Sequence, residues 1–240
     1  PCLGQGMCSG MRDAANLSWK LDLVLRDLAG PRILDSYEIE RRPHVKAWAD
    51  LSLNAGELIC VTDPAKAAAR DAQLRLGARR VWRPPPTLTT GLLDGSSPGG
   101  AALSGQLFPQ RRIHRHGRSA LLDELVGTGF LLVARSDPLP HLAADAHTFL
   151  QRLHIDVTWL SDQLGDSRTF KDETGQYSEY FSSHNLTAVI VRPDRYVYGG
   201  VRHLGDLTRL VQELSQLLQT GSLDHFIGSR PQGAEILEGT

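Results

Sequence analysis

Cysteine is scarce in this chain, and none follows position 60. The three that occur, Cys2, Cys8 and Cys60, are odd in number and scattered, which suits reduced thiols rather than a disulfide framework. Excess charge is absent too, with 26 basic residues against 27 acidic. That removes the basic footprint of a nucleic-acid binder and the acidic tail of an interaction arm. No apolar run approaches the roughly 20 residues that a membrane-spanning helix needs, and no secretory leader is visible. These absences point to a cytoplasmic protein with no nucleic-acid or membrane partner. An initiating methionine is also missing. The chain opens on Pro1 and is expected to be the C-terminal piece of a longer protein.

What is present suffices for a core: 41% of the 240 residues are hydrophobic, enough for one large domain or two small ones. The first thirty residues stand out. Gly4, Gly6 and Gly10 lie in a stretch that reads as a loop running into an amphipathic helix over about 11–28. Glycines let backbone N–H groups approach a ligand, and a helix start carries unpaired N–H groups and partial positive charge. Such a start accepts a phosphate, a carboxylate or a delocalised anion. Ala14, Leu17, Leu21, Val24 and Leu28 recur at helical spacing as one apolar stripe, with Asp13 in the expected first turn. Gly30 and Pro31 end the helix. A short helix to about Arg42 is expected next, with Pro43 opening another. Val45, Trp48, Leu51, Ala55 and Leu58 would form the buried face of that second helix. Asp63-Pro64 starts one more. This helical part has no sheet of its own to pack on, and the stripe on the first helix lacks an obvious partner.

Between 83 and 100 the composition turns to Pro84-Pro85-Pro86 and Ser96-Ser97-Pro98-Gly99-Gly100, the chemistry of turns and linkers. A boundary is expected there, giving residues 1–82, a linker over 83–105, and a second domain over 106–240. The second domain alternates. Strands are expected at 128–134, 155–160, 186–191 and 196–199, and helices at 140–153, 176–184 and from Leu204 onward. In the last helix Leu204, Leu207, Leu210, Val211, Leu214, Leu217 and Leu218 share one face. The order β-α-β-α-β-β-α, with a hairpin after the third strand, is the layout of a thioredoxin-like domain.

Several motifs can be read chemically. The spacing Gly4-x-Gly6-x-x-x-Gly10 brings to mind a nicotinamide-dinucleotide loop, which needs a strand before it and an acid about 20 residues on. No strand precedes it, and Asp35 falls after the helix. Glycines that merely ease a tight turn remain an alternative. Arg12 and Asn16 could meet a ligand or fix the loop. Arg41 and Arg42, with Glu38 and Glu40, could bind an anion or form ion pairs tying the short helix to a preceding domain; the ion pairs are favoured. His114 and His116 sit among Arg111, Arg112, Arg115 and Arg118, which repel a cation, so a basic loop is expected rather than a metal site. The residues after the first thioredoxin-like strand, Arg135-Ser136-Asp137-Pro138, carry no cysteine, which excludes dithiol chemistry.

The longer strings say more. Gly4-Gln-Gly-Met-Cys-Ser-Gly-Met-Arg-Asp-Ala-Ala-Asn-Leu-Ser-Trp-Lys-Leu resembles the segment after the second FAD motif in flavoprotein monooxygenases acting on aromatic rings. Leu34-Asp-Ser-Tyr-Glu-Ile-Glu-Arg-Arg-Pro-His is similar to the helix that follows in that family. Leu107-Phe-Pro-Gln and Val191-Arg-Pro-Asp-Arg-Tyr-Val resemble the C-terminal thioredoxin-like domain of its phenol-hydroxylase branch. The resemblance implies an α/β fold in which the helical tail of a Rossmann-like FAD-binding domain precedes a thioredoxin-like domain. It implies an FAD-dependent monooxygenase that uses NAD(P)H and O2 to hydroxylate a phenolic acid of the 3-(3-hydroxyphenyl)propionate type, and it leaves a homodimer open. On the same basis Gly4, Gln5, Gly6, Met7 and Cys8 would lie along the flavin's pyrimidine edge, with the backbone N–H groups of Met7 and Cys8 facing it. Many relatives carry Asn where this chain has Cys8. No catalytic residue and no metal ligand is expected within the chain. The alternative is a non-catalytic thioredoxin-like interaction module with a helical extension. It requires the first helix to be fully buried against residues 101–240, whereas the flavoprotein reading leaves an apolar face of that helix bare.

Overall fold

A computed structural model describes residues 4–76, 85–95, 103–163 and 165–221. The expected mixed architecture is present. Three helices lead: α1 (Gln5–Leu25), α2 (Asp35–Ile59), which follows a 3-10 turn at Pro31–Leu34, and α3 (Pro64–Arg75). The second half holds strands β1 (Arg112–Arg115), β2 (Arg118–Leu121), β3 (Leu131–Ala134), β4 (Asp156–Leu160), β5 (Thr169–Asp172), β6 (Ala188–Val191) and β7 (Val197–Val201). Its helices are the short α4 (Leu122–Leu125), then α5 (Ala144–Arg152), α6 (Gln176–Ser183) and α7 (Leu207–Thr220).

The sheet runs β2-β1-β5-β4-β3-β6-β7. β3 is parallel to β4, and β6 lies antiparallel between β3 and β7, so the four anticipated strands pair in thioredoxin-like fashion. Side chains alternate across it. Leu132, Ala134, Ala188 and Ile190 face a core shared with α5, α7, Trp19, Leu23 and Ile33. Leu131, Val133, Val189 and Val191 face the opposite core with Phe170, Tyr177 and Phe181. Burial on both faces explains why β3 and β6 read as unbroken apolar runs.

Four differences from the expected elements have physical causes. First, α1 begins at Gln5 rather than near Met11, and Asp13 lies well inside it. Glycine inside a helix costs about 1 kcal/mol relative to alanine, yet Gly6 and Gly10 are helical here. Gly4, in the left-handed conformation at φ 63°, marks the true boundary. Second, α2 runs unbroken through Pro43. Proline has no N–H to give the carbonyl four residues back, and the Thr90 hydroxyl donates to that Ile39 carbonyl instead, at 3.0 Å. Third, the basic loop around His114 and His116 is a hairpin. His116 and Gly117 both have positive φ, the turn that joins β1 to β2. Fourth, β5 pairs with both β1 and β4, and a strand of four residues has too little pattern to be seen in sequence.

Residues 85–95, within the stretch read as a linker, are packed. Leu88, Leu92 and Leu93 are buried, and the Asp94 N–H donates to the Tyr198 carbonyl of β7 at 2.8 Å. Residues 83–84 and 96–102 of that stretch lie outside the described residues. At the far end of α1, the Gly30 N–H donates to the Leu218 carbonyl of α7 at 2.8 Å. A Cβ on Gly30 would meet the Gln219 carbonyl oxygen at 2.3 Å, so this approach needs glycine.

Candidate functional site: a helix start held by a buried ionic latch

The start of α1 has the features of an anion cradle. No side chain caps it, and no acid stands in its first turn. By helix geometry the N–H groups of Gln5, Gly6 and Met7 precede the first intrahelical bond, while that of Cys8 closes the turn onto the Gly4 carbonyl. A Cβ built on Gly4 or Gly10 meets nothing within 4 Å, so the space beside them is open. Across it, Gln5, Gly6, Ser9 and Gly10 face Val45, Trp48 and Leu53 of α2 over an apolar groove of about 860 Å3. The Val45–Leu58 face expected to be buried is only half covered, and its first two residues, Val45 and Trp48, line this groove. Arg12 Nη1 and Nη2 each donate to Gln5 Oε1 at 3.4 Å, and the guanidinium sits 5.0 Å from the Trp48 ring centroid. Arg12 thus braces the first turn.

Of the anticipated stripe on α1, Val24 and Leu28 pack against the core, but the face buried most deeply is another one. Asn16, Trp19, Lys20 and Leu23 are buried, whereas Met7, Met11 and Leu25 are 71%, 59% and 81% exposed. Ala14 and Leu21 are exposed on the same side. The buried face is polar because it meets charge. Glu40, fully buried in α2, accepts from Asn16 Nδ2 at 2.7 Å and pairs with Lys20 Nζ at 2.9 Å. It also receives Arg192 Nη1 at 3.0 Å and Nη2 at 2.7 Å. Asp194 accepts from Arg192 and, at 2.9 Å, from Asn16. Glu40 is therefore paired within this chain, to the second domain, and not to a preceding one as the sequence suggested. Arg41 binds Asp13 at 2.7 Å and His44, and Arg42 pairs with Glu38 on the surface.

Electrostatics follow from this burial. Desolvation alone would raise Glu40, but Arg192 and Lys20 override it and hold the carboxyl at about 2. Desolvation lowers Lys20 to about 8 against the opposing pull of Glu40. His44, buried beside Arg41, is lowered to about 4. Its Nδ1 accepts from Arg41 Nη1 at 2.9 Å, and its Nε2–H donates to the Pro86 carbonyl at 3.1 Å, so a second proton would face a guanidinium. Both folded values lie below the ordinary ones, 6.5 for His44 and 4.5 for Glu40. Their stabilisation is complete above those ordinary values and disappears as pH falls through the folded ones. The urea midpoint is expected to fall from pH 6.5 toward 4, and further below 4.5, with His44→Gln removing the first part of the slope. A midpoint that stays flat between pH 7 and 4 would contradict this.

Among the described residues no group of His, Cys, Asp and Glu is placed to hold a metal, and no helix is long and apolar enough to cross a membrane. His114 lies on β1, 3.9 Å from Glu173.

The chain thus presents an exposed, uncapped helix start on one side and a sheet with thioredoxin-like pairing on the other. Residues 1–52 match the family model described as FAD binding domain, and residues 105–217 match that of the HcaD C-terminal domain. In both halves the chain is similar to FAD-dependent aromatic monooxygenases. It is 38% identical over 218 residues to a protein of Rhodococcus jostii (strain RHA1) named "Probable NADH-specific resorcinol 4-hydroxylase", covering 89% of this chain and 40% of that one. It is 32% identical over 253 residues to a 3-(3-hydroxy-phenyl)propionate/3-hydroxycinnamic acid hydroxylase of Mycobacterium sp. (strain KMS), covering 95% of this chain and 44% of that one. The chain thus spans less than half the length of these relatives. The crystal structure of the flavin-dependent monooxygenase PieE in complex with FAD and substrate shares the fold, with a TM-score of 0.67, 21% identity, and coverage of 91% of this chain and 45% of that one.

Proposed function

We propose that this chain is the flavin-edge helix and C-terminal domain of an FAD-dependent hydroxylase that acts on phenolic aromatic acids with NAD(P)H and O2. The observation that carries this is the open start of α1. Its N–H groups at Gln5, Gly6 and Met7 have no side-chain acceptor, and the apolar groove lies beside them. The residues fit a flavin. An uncapped helix start favours an electron-rich edge, and it does so most when reduction adds negative charge there. FAD, when bound, supplies the redox and oxygen-activating chemistry. This chain's share is to aim donors at the pyrimidine edge through Gly4–Cys8, with Cys8 closing the turn as a small half-buried residue. The relative named as NADH-specific favours NADH as reductant, and the names of both relatives favour phenolic substrates.

The bare apolar side of α1, running through Met7, Met11 and Leu25, supports this reading over a self-contained interaction module, which needs α1 fully covered. Association of two copies belongs to the same reading and is measured by sedimentation.

Expressed with its whole reading frame, the protein is expected to be yellow and to oxidise NADH when offered 3-(3-hydroxyphenyl)propionate or resorcinol. The product should be one oxygen heavier by mass spectrometry. Residues 1–240 alone are expected to be colourless and inactive. A colourless whole protein, or NADH oxidation that no phenol accelerates, would overturn the proposal.

A further inference from the structure

The ionic latch and the proposed flavin-edge start lie on the same helix. Asn16 and Lys20 sit on the same rigid helix that begins at Gln5, and about 1.5 Å per residue puts Asn16 roughly 16 Å along it from that start. Besides the packing of Trp19 and Leu23 into the shared core, two polar attachments join α1 to the second domain. One is the contact of Asn16 and Lys20 with Glu40, Arg192 and Asp194. The other is the bond from Gly30, just past the helix end, to Leu218. Toward its start, by contrast, α1 exposes Met7, Gly10 and Met11. Near its start α1 is held by α2, through Arg12 on Trp48 and Asp13 on Arg41, and its tie to the C-terminal domain lies further along. Pivoting about the latch by roughly 4 degrees moves the start by about 1 Å, and an error of that size matters at a reacting centre.

We infer that Arg192 and Asp194, on the turn before β7, together with Asn16 are positioning residues for the flavin edge, so that the thioredoxin-like domain sets the aim of the α1 N–H groups. This rests on the functional reading above. It gives a domain without cysteine a share in flavin chemistry. Arg192 fills its donors with Glu40, Asp194 and the Leu92 carbonyl. Asp194 hydrogen-bonds to α1 through Asn16, while the Arg192 guanidinium lies 5.4 Å from the Trp19 ring. Losing the Asn16–Asp194 bond removes the hydrogen bond from α1 to the second domain at the latch, while Lys20 still ties α1 to Glu40 and the Glu40–Arg192 pair still holds α2 in place.

The test uses the whole flavin-loaded protein with Asn16→Leu and Asp194→Asn. Val211→Ala, a cavity in α7 that leaves the latch intact, serves as the stability control. FAD dissociation constants are measured for oxidised and reduced flavin. Both latch variants are expected to weaken FAD binding about tenfold, with reduced flavin losing more than oxidised, while Val211→Ala leaves both constants unchanged at a similar loss of Tm. A further tenfold bias against reduced flavin would appear as about 30 mV in the two-electron midpoint potential. Latch variants that lose Tm but keep wild-type constants would overturn the inference, as would equal weakening by Val211→Ala. If Asn16→Leu fails to fold, Asp194→Asn alone decides between these outcomes. A wild-type protein that binds no FAD would instead overturn the functional reading and the inference with it.

Discussion

Replacing Arg192 with methionine is expected to destabilise the protein by about 3–5 kcal/mol, the cost of removing one partner from a buried ion pair. Arg192 is fully buried. Its guanidinium donates to Glu40 at 3.0 and 2.7 Å, to Asp194 at 3.0 and 2.6 Å, and to the Leu92 carbonyl at 2.9 Å. Methionine would leave Glu40 with Lys20, Asn16 and the Leu92 N–H but no guanidinium, and Asp194 with only Asn16, in a place water does not reach. Lysine would not restore the site, because a point charge cannot span two carboxylates and a carbonyl as the planar fork does. Guanidinium unfolding curves measure the loss. A double-mutant cycle with Glu40→Gln should show strong coupling, the pair costing less than the sum of the singles. Additive effects, or a loss below about 1 kcal/mol, the level of an exposed pair, would show that the latch is weak.

Trp19→Ala is the second large effect, at about 3–5 kcal/mol for truncating a buried aromatic. The Trp19 ring meets Phe130 edge-on at 5.3 Å, and the Arg192 guanidinium lies 5.4 Å from it. Trp19 thus joins α1 to the sheet domain through both apolar and cationic contacts. Because α5, α7 and the sheet supply most of that core, the second domain should survive the loss. Calorimetry is expected to show the wild type melting in one transition and the variant in two, with α1 and α2 released first. Hydrogen exchange should then show α1 amides losing protection while β3 and β6 keep theirs. One sharp transition in the variant would mean that the two halves are inseparable.

Legibility in the sequence differed between the halves for a physical reason. In α7 the residues Leu207, Leu210, Val211, Leu214, Leu217 and Leu218 are buried as their spacing indicates, because that helix packs an apolar face on an apolar sheet. In α1 the same logic pointed to Ala14, Leu21 and their neighbours, which are exposed or half-exposed. The face that packs carries Asn16 and Lys20, and a pattern count scores those as surface. Nothing local could reveal Glu40 and Arg192 as partners, since 152 positions separate them. The start of α1 misled through propensity: Gly6 and Gly10 read as loop, though only Gly4 needs a positive φ. The His116-Gly117 pair was a usable hairpin signal that the surrounding arginines obscured.

By itself the sequence determined the α/β class, the thioredoxin-like order of the second half, the absence of dithiol chemistry there, and the family to which the opening motif belongs. These follow from residue type, spacing and short-range geometry, which a linear string preserves. Tertiary structure alone decided which face of α1 is buried most deeply, that α2 continues through Pro43, and that residues 85–95 are packed, with Asp94 bonded to β7. Each depends on a partner distant in sequence: Arg192 for Glu40, Thr90 for the Ile39 carbonyl, Tyr198 for Asp94. A polar group is buried only where its partner arrives, and that arrival is a property of the folded chain.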